Sequence, residues 1–322
     1  MQAWPSLSRR FSTQPLFMAR LAPLLGRKSS RWWQQLERRS TSLPQKGQVG
    51  MSKIENLELS WEMLGPEVGP IEAVVTPRGQ LSREAARPLA AALALHGKRV
   101  LLWDRRSTGN SSAWAPLDAE SIPEQEVQDL ARLLDILQAQ SAERSPICLI
   151  GLSSGARLSA MFAARHPLSV SRLILLPTGD FYSVATLLAQ AYYSDCADAA
   201  ETGGMEAVAE AHGSHFQMLA KGSVRARDEL LAADLMEFVS AMRQSQAFLE
   251  RFQGEHLLGL HSFEVATLQV PVLVLHHGFE DDRLHALEDA TALAEQLPDG
   301  HLVVEPDLAQ FKKAAADFMH AV

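Results

Sequence analysis

Residues Ile147–Pro167 read ICLIGLSSGARLSAMFAARHP. The opening residues form an apolar run of strand length, and Ser154–Arg165 carries helical spacing. The Gly151-Leu152-Ser153-Ser154-Gly155 pattern therefore falls at a strand-to-helix turn. Such a turn is tight, and Gly151 and Gly155 leave room for a strained serine aimed out of a sheet. Ser153 is thus a candidate nucleophile. The N–H of Ser154, at the positive end of the helix that follows, is a candidate donor to an oxyanion.

Outward from this turn the chain alternates strand and helix signals. Ile54, Leu57, Leu59 and Trp61 alternate as an early strand or hairpin before Gly65-Pro66. Apolar runs at 71–75, 99–103, 172–176, 270–275 and 301–305 predict further strands. Helical spacing predicts helices over 82–95, 123–140, 286–297 and 310–321. Strands that read as continuous apolar runs between helices imply an α/β fold, a doubly wound and mostly parallel sheet covered on both faces. The stretch 177–262 breaks the rhythm, with helical spacing and no strand signal. It reads as a helical cap inserted between a first core part (51–176) and a second (263–322), over the strand edge where ligands bind. Its Phe181, Tyr182, Tyr192, Tyr193, Met205, Phe216, Met218 and Phe238 either pack cap to core or line an apolar pocket.

The 322 residues are 47% hydrophobic and 21% charged, enough for one large domain or a domain with an insertion. The net charge of −8 is unevenly placed. Residues 1–50 carry nine Lys or Arg and one acid, Glu37, so the remaining residues carry −16. An acidic body argues against nucleic acid as partner. Two cysteines, Cys148 and Cys196, are too few for a disulfide framework. No apolar run reaches transmembrane length. Residues 1–50 are rich in Arg and Ser and nearly free of acids, the composition of a transit peptide for a mitochondrion or, alternatively, a plastid. A disordered basic extension, or translation from Met51 with a cytoplasmic product, are the competing readings. On composition alone the segment is set aside from the fold.

Taken together, LLWDRRSTGNSS, GLSSG, AARHPLSVSRLILLP and VPVLVLHHGFEDDRLHAL resemble, in order, landmarks of the α/β-hydrolase fold: the loop after the fourth strand, the nucleophile elbow, the run into the sixth strand, and the seventh strand with its acid loop. The cap stretch AYYSDCADAAETGGMEAVA looks like that of poorly characterised bacterial α/β-hydrolases. The resemblance covers nearly everything after residue 55. It implies an acid at Asp282, with Asp281 as the alternative, and a second oxyanion donor from Arg78 or Gly79, since Pro77 has no N–H. It also implies a histidine after the last strand, where this chain places Gln310, whose amide takes no proton at neutral pH. His285, in the acid loop, is the best substitute base. His276 and His277 end the seventh strand. His301 precedes the last strand and His320 follows it on the terminal helix.

No Gly-rich phosphate loop is present, and no Cys/His pattern has metal-ligand spacing, so no cofactor or metal is expected. Two functions compete. One is a serine hydrolase acting on an ester, thioester, amide or carbon–carbon bond of a small hydrophobic carbonyl compound. The other is a catalytically impaired relative that keeps the pocket as a ligand-binding or interaction module.

Overall fold

A computed structural model describes residues 21–38, 47–139 and 145–320. Eight strands form one sheet: β1 Gln48–Ile54, β2 Leu57–Leu64, β3 Ala73–Thr76, β4 Val100–Trp103, β5 Ile147–Leu152, β6 Val170–Leu176, β7 Val272–His276 and β8 Gly300–Val304. Their order is β1-β2-β4-β3-β5-β6-β7-β8. β2 runs antiparallel to both its neighbours, and the rest of the sheet is parallel. Successive side chains of a strand point to opposite faces. Accordingly Leu149, Leu173 and Val274 join one buried apolar layer, while Ile150, Ile174 and Leu273 join the other. Helices cover both layers, which is why these strands read as unbroken apolar runs.

From β3 the chain steps to β4 on one side. From β5 it steps to β6 on the other. Connections that leave in opposite directions open a crevice at the strands' C-terminal ends. The Thr76–Gly79 loop and Ser153 both emerge there. Between β6 and β7 the chain forms only helices among the described residues, from Val184–Ala189 through Leu235–Glu250 to the short Ser262–Val265. Phe216 and Phe238 are fully buried, and the Phe238 ring packs on Trp114 of the core at 4.8 Å. Burial of those rings fastens the insertion to the sheet.

The described part of the N-terminal segment set aside on composition contributes to this fold. Arg27–Glu37 is a helix with Trp32, Trp33 and Leu36 buried and Arg27, Lys28 and Arg31 facing solvent. The apolar spacing of Leu21, Leu25, Trp32 and Leu36 encodes that one-sided burial, and an average over fifty residues hides it. β1 starts at Gln48. Met51 pairs with Ser60 inside the strand, so a chain begun at Met51 would lack three of the seven residues of β1.

Trp32 also meets Phe311 edge to face at 4.8 Å, which joins this helix to the final helix, Leu308–His320. Phe311 is fully buried. Phe311→Ala is expected to lower unfolding free energy by about 3–5 kcal/mol in a urea titration. A loss below about 1 kcal/mol would show that the two chain ends are not coupled.

Candidate active site

Ser153 sits on the turn from β5 into the helix Ser154–Arg165 with φ 57° and ψ −116°, a conformation that residues other than glycine rarely adopt. Its N–H donates to the carbonyl of Leu176 at 2.7 Å, and the helix winds up immediately behind it. A Cβ on Gly151 would strike the Gly155 carbonyl, and one on Gly155 would strike the carbonyl of Thr76 in β3. The two glycines are therefore required by close approach. The Ser153 hydroxyl shares a hydrogen bond of 2.9 Å with the hydroxyl of Thr178, just past β6.

Across the crevice, the loop after β7 is organised around one buried carboxylate. Asp282 is 2% exposed. Its Oδ2 accepts from His277 Nε2 at 2.8 Å and from the indole N–H of Trp33 at 3.0 Å. The backbone N–H of His285 donates to Oδ1 at 3.1 Å, and His285 Nδ1 lies 3.1 Å from both oxygens. Burial alone would raise the Asp282 pKa. The adjoining His285 and the hydrogen bonds from both histidines outweigh it and hold the carboxyl well below the usual range. Asp281 serves the N-terminal helix instead. Its side chain accepts from the N–H groups of Lys28 and Ser29, capping Arg27–Glu37. The acid beside the histidines is thus Asp282.

The tautomers follow from the partners. Phe279 donates its N–H to His277 Nδ1, so the His277 proton lies on Nε2 and points at Asp282. Gly278 donates to His276 Nδ1 in the same way, and His276 Nε2 then donates to the carbonyl of His285 at 2.8 Å. His285 donates from Nδ1 to Asp282, which leaves its Nε2 as a lone-pair acceptor. That atom is buried and has no hydrogen-bond partner. His285 and Ser153 line one cavity of about 240 Å³.

The segment after β8 supplies no base among the described residues. β8 passes to the last helix through Glu305, Pro306 and Asp307, and Gln310 is exposed, its N–H capped by Asp307 Oδ1 at 3.0 Å. His301 faces solvent beside Asp299, and His320 is exposed on the terminal helix. His276 and His277, at the end of the seventh strand, are fully buried braces of the acid loop. Arg78 and Gly79 do line the cavity. The Arg78 side chain is paired with Glu37 at 2.6 Å, and the Gly79 carbonyl accepts from Arg105 and, at 3.1 Å, from the Ser154 hydroxyl. Arg105, 1% exposed, is itself paired with Glu126 at 3.1 Å.

Composition and motif matching overlooked Trp33, Thr178, Arg105 and His215. Arg105 stands in the DRRSTG motif and Trp33 in a helical pattern, so each carried a signal. Thr178 and His215 carried none, because only the fold brings Thr178 to the Ser153 hydroxyl and His215 to the lining of the same cavity. His277, Asp282 and His285 bring ligand-type atoms within 4.8 Å of one another. The donor set does not suit a cation: His277 Nε2 and His285 Nδ1 carry protons aimed at the carboxylate, and moving the His277 proton would set it against the Phe279 N–H.

The profile of the α/β-hydrolase fold matches residues 79–252, more than half of the sequence. The chain belongs to the α/β-hydrolase fold family. Within that family it is similar to the putative carbamate hydrolase RutD of Variovorax paradoxus (strain S110), 35% identical over 123 residues. That stretch is 37% of this chain and 42% of the relative, so the chain spans less than half the length of the curated relative it matches. The enol-lactonase from Burkholderia xenovorans LB400 aligns with a TM-score of 0.55 at 21% identity, over 84% of this chain and 100% of that one. A thermophilic esterase from Thermogutta terrifontis gives 0.54 at 22%, over 85% and 98%. At such identities the likeness is one of fold. No helix among the described residues is long and apolar enough to cross a membrane.

Two outcomes are expected of this geometry. Ser153→Gly relieves the positive φ while Ser153→Ala keeps it, and both lose the bond to Thr178. The glycine variant should therefore be the more stable by about 1 kcal/mol in urea titrations. Equal midpoints would mean that the elbow stores no strain. The second concerns acid. Burial, helped by Arg105, lowers the His215 pKa to about 3, and burial, helped by His277, lowers that of His276 to about 4. Both rings stay neutral in the fold but protonate in the unfolded chain below about pH 6.5. Stability is fully present above that pH and falls between it and about pH 4, by up to about 1.4 kcal/mol per pH unit for each ring. Asp282, with its depressed pKa, adds a loss below about pH 4. Urea midpoints measured from neutral to mildly acid pH should decline accordingly, and a flat profile would contradict the neutral histidines.

Proposed function

We propose that this chain hydrolyses a small, neutral, apolar carbonyl compound, with Ser153 as nucleophile, His285 as general base and Asp282 as the carboxylate that orients it. The observation that carries this reading is the His285 ring: Nδ1 bonded to Asp282, Nε2 without a partner, in the cavity that Ser153 also lines. A base so arranged takes the serine proton as Oγ attacks the carbonyl. It then delivers that proton to the leaving group, and water enters by the reverse path. The N–H of Ser154 and an N–H of the Arg78–Gly79 loop are the donors suited to the oxyanion. Leu21, Leu25, Leu188 and Leu284 give the cavity apolar walls. Arg78, the cation on its lining, is already neutralised by Glu37, which favours an uncharged substrate. Carbamate, lactone and ester, the groups in the names of the similar proteins, all present such a carbonyl.

A second reading rests on one contact. The Ser153 hydroxyl is engaged by Thr178, while His285 Nε2 has no partner, so hydroxyl and imidazole are not joined in this arrangement. A protein that keeps that contact would bind a ligand without turning it over. Fluorophosphonate labelling of the full chain separates the two. The hydrolase reading expects labelling of the parent that disappears in Ser153→Ala and falls at least about 100-fold in His285→Ala. Labelling that survives His285→Ala would assign the base elsewhere, and a parent that does not label would leave the binding module.

A further inference from the structure

We propose that Trp33, from the N-terminal helix, is a positioning residue of this site, fixing Asp282 and through it His285. The proposal rests on the hydrolase reading for its kinetic consequence, and on geometry alone for its structural one. Of the side chains that donate to Asp282, His277 and His285 belong to the end of β7 and the loop that follows. Trp33 reaches the same carboxylate from 249 positions earlier in the chain, with its indole N–H 3.0 Å from Oδ2. Its ring centre lies 5.0 Å from that of His285, so the indole also walls one side of the imidazole. Trp33 is 1% exposed.

Its own position is fixed on three sides. The Arg78 guanidinium lies 4.7 Å from the centre of the indole ring, held by Glu37 one helical turn beyond Trp33. Before the helix, the Gly26 N–H donates to the Asp281 carbonyl at 2.6 Å and the Arg283 N–H to the Leu24 carbonyl at 2.7 Å. A Cβ at Gly26 would collide with the Asp281 side chain, so only glycine permits this approach. The acid loop is thus clamped on both flanks of Asp282 by the segment that carries Trp33.

A carboxylate with several donors keeps one orientation, and a shared charge holds the imidazole proton less tightly than an unshared one. Trp33→Phe in the full chain keeps most of the ring and removes the N–H. Trp32→Phe is the control, an equally buried neighbour whose indole N–H has no partner. In fluorophosphonate labelling, Trp33→Phe should lower the rate on the order of ten-fold and move the acid limb of its pH profile upward, while Trp32→Phe leaves both near the parent. The independent readout is the His285 ring in 15N-histidine NMR spectra. Its Nδ1 proton should shift in Trp33→Phe and stay in place in Trp32→Phe, whether or not the protein labels. An unlabelled parent would defeat the hydrolase reading only. A His285 resonance unchanged in Trp33→Phe, or a labelling rate and pH profile equal to those of Trp32→Phe, would overturn the role given to Trp33.

Discussion

A single carboxylate shielded from water sets the terms for the upper half of this molecule. Asp282 can stay ionised in the interior only because N–H groups of His277, His285 and Trp33 converge on it, and each of those residues depends on a different structural commitment. The His277 donor depends on the Phe279 amide fixing its tautomer. The His285 donors require the loop to turn back within three residues. The Trp33 donor requires that a helix from the other end of the chain be in place. Removing any one leaves a buried charge with fewer partners, so these parts stand together.

The nucleophile side is built on the opposite principle. Ser153 is bonded to neutral groups, the Leu176 carbonyl and the Thr178 hydroxyl, and its precision comes from exclusion. Two missing Cβ atoms allow β3, β5 and the following helix to close on a serine held at positive φ. Strain on one side of the cavity and a crowded ionic network on the other leave a mostly apolar space between them. Such a space suits a carbonyl group, whose charge arises only as the reaction proceeds.

How far the sequence reveals this depends on the range of the interaction. The elbow was legible in full, because strand, glycines, serine and helix are close neighbours in the chain and local sterics decide them. The parallel sheet was legible from its apolar runs, and the helical insertion from the missing strand signal. Choosing Asp282 over Asp281 needed the structure, since the two are adjacent and differ only in what lies opposite: histidines for one, the amides of Lys28 and Ser29 for the other. The resemblance also fixed attention on Gln310, where a histidine was expected. Gln310 is exposed, and the imidazole that joins Asp282 to Ser153's cavity comes from the previous loop. The N-terminal helix was hardest to see. A basic average over fifty residues obscured a short run of one-sided apolar spacing, and its partner lies near the far end of the chain.

That distance has a consequence in time. A polypeptide is made from its N-terminus at about 5–20 residues per second, so Trp33 precedes Asp282 by roughly ten to fifty seconds. Throughout that interval the segment is a basic, amphipathic helix-former bearing two tryptophans, with no acid loop yet in existence to receive it. Only once the last strands have emerged does a docking place arise. The same residues thus present one surface to the cell while the chain is growing and are folded out of sight once it is whole.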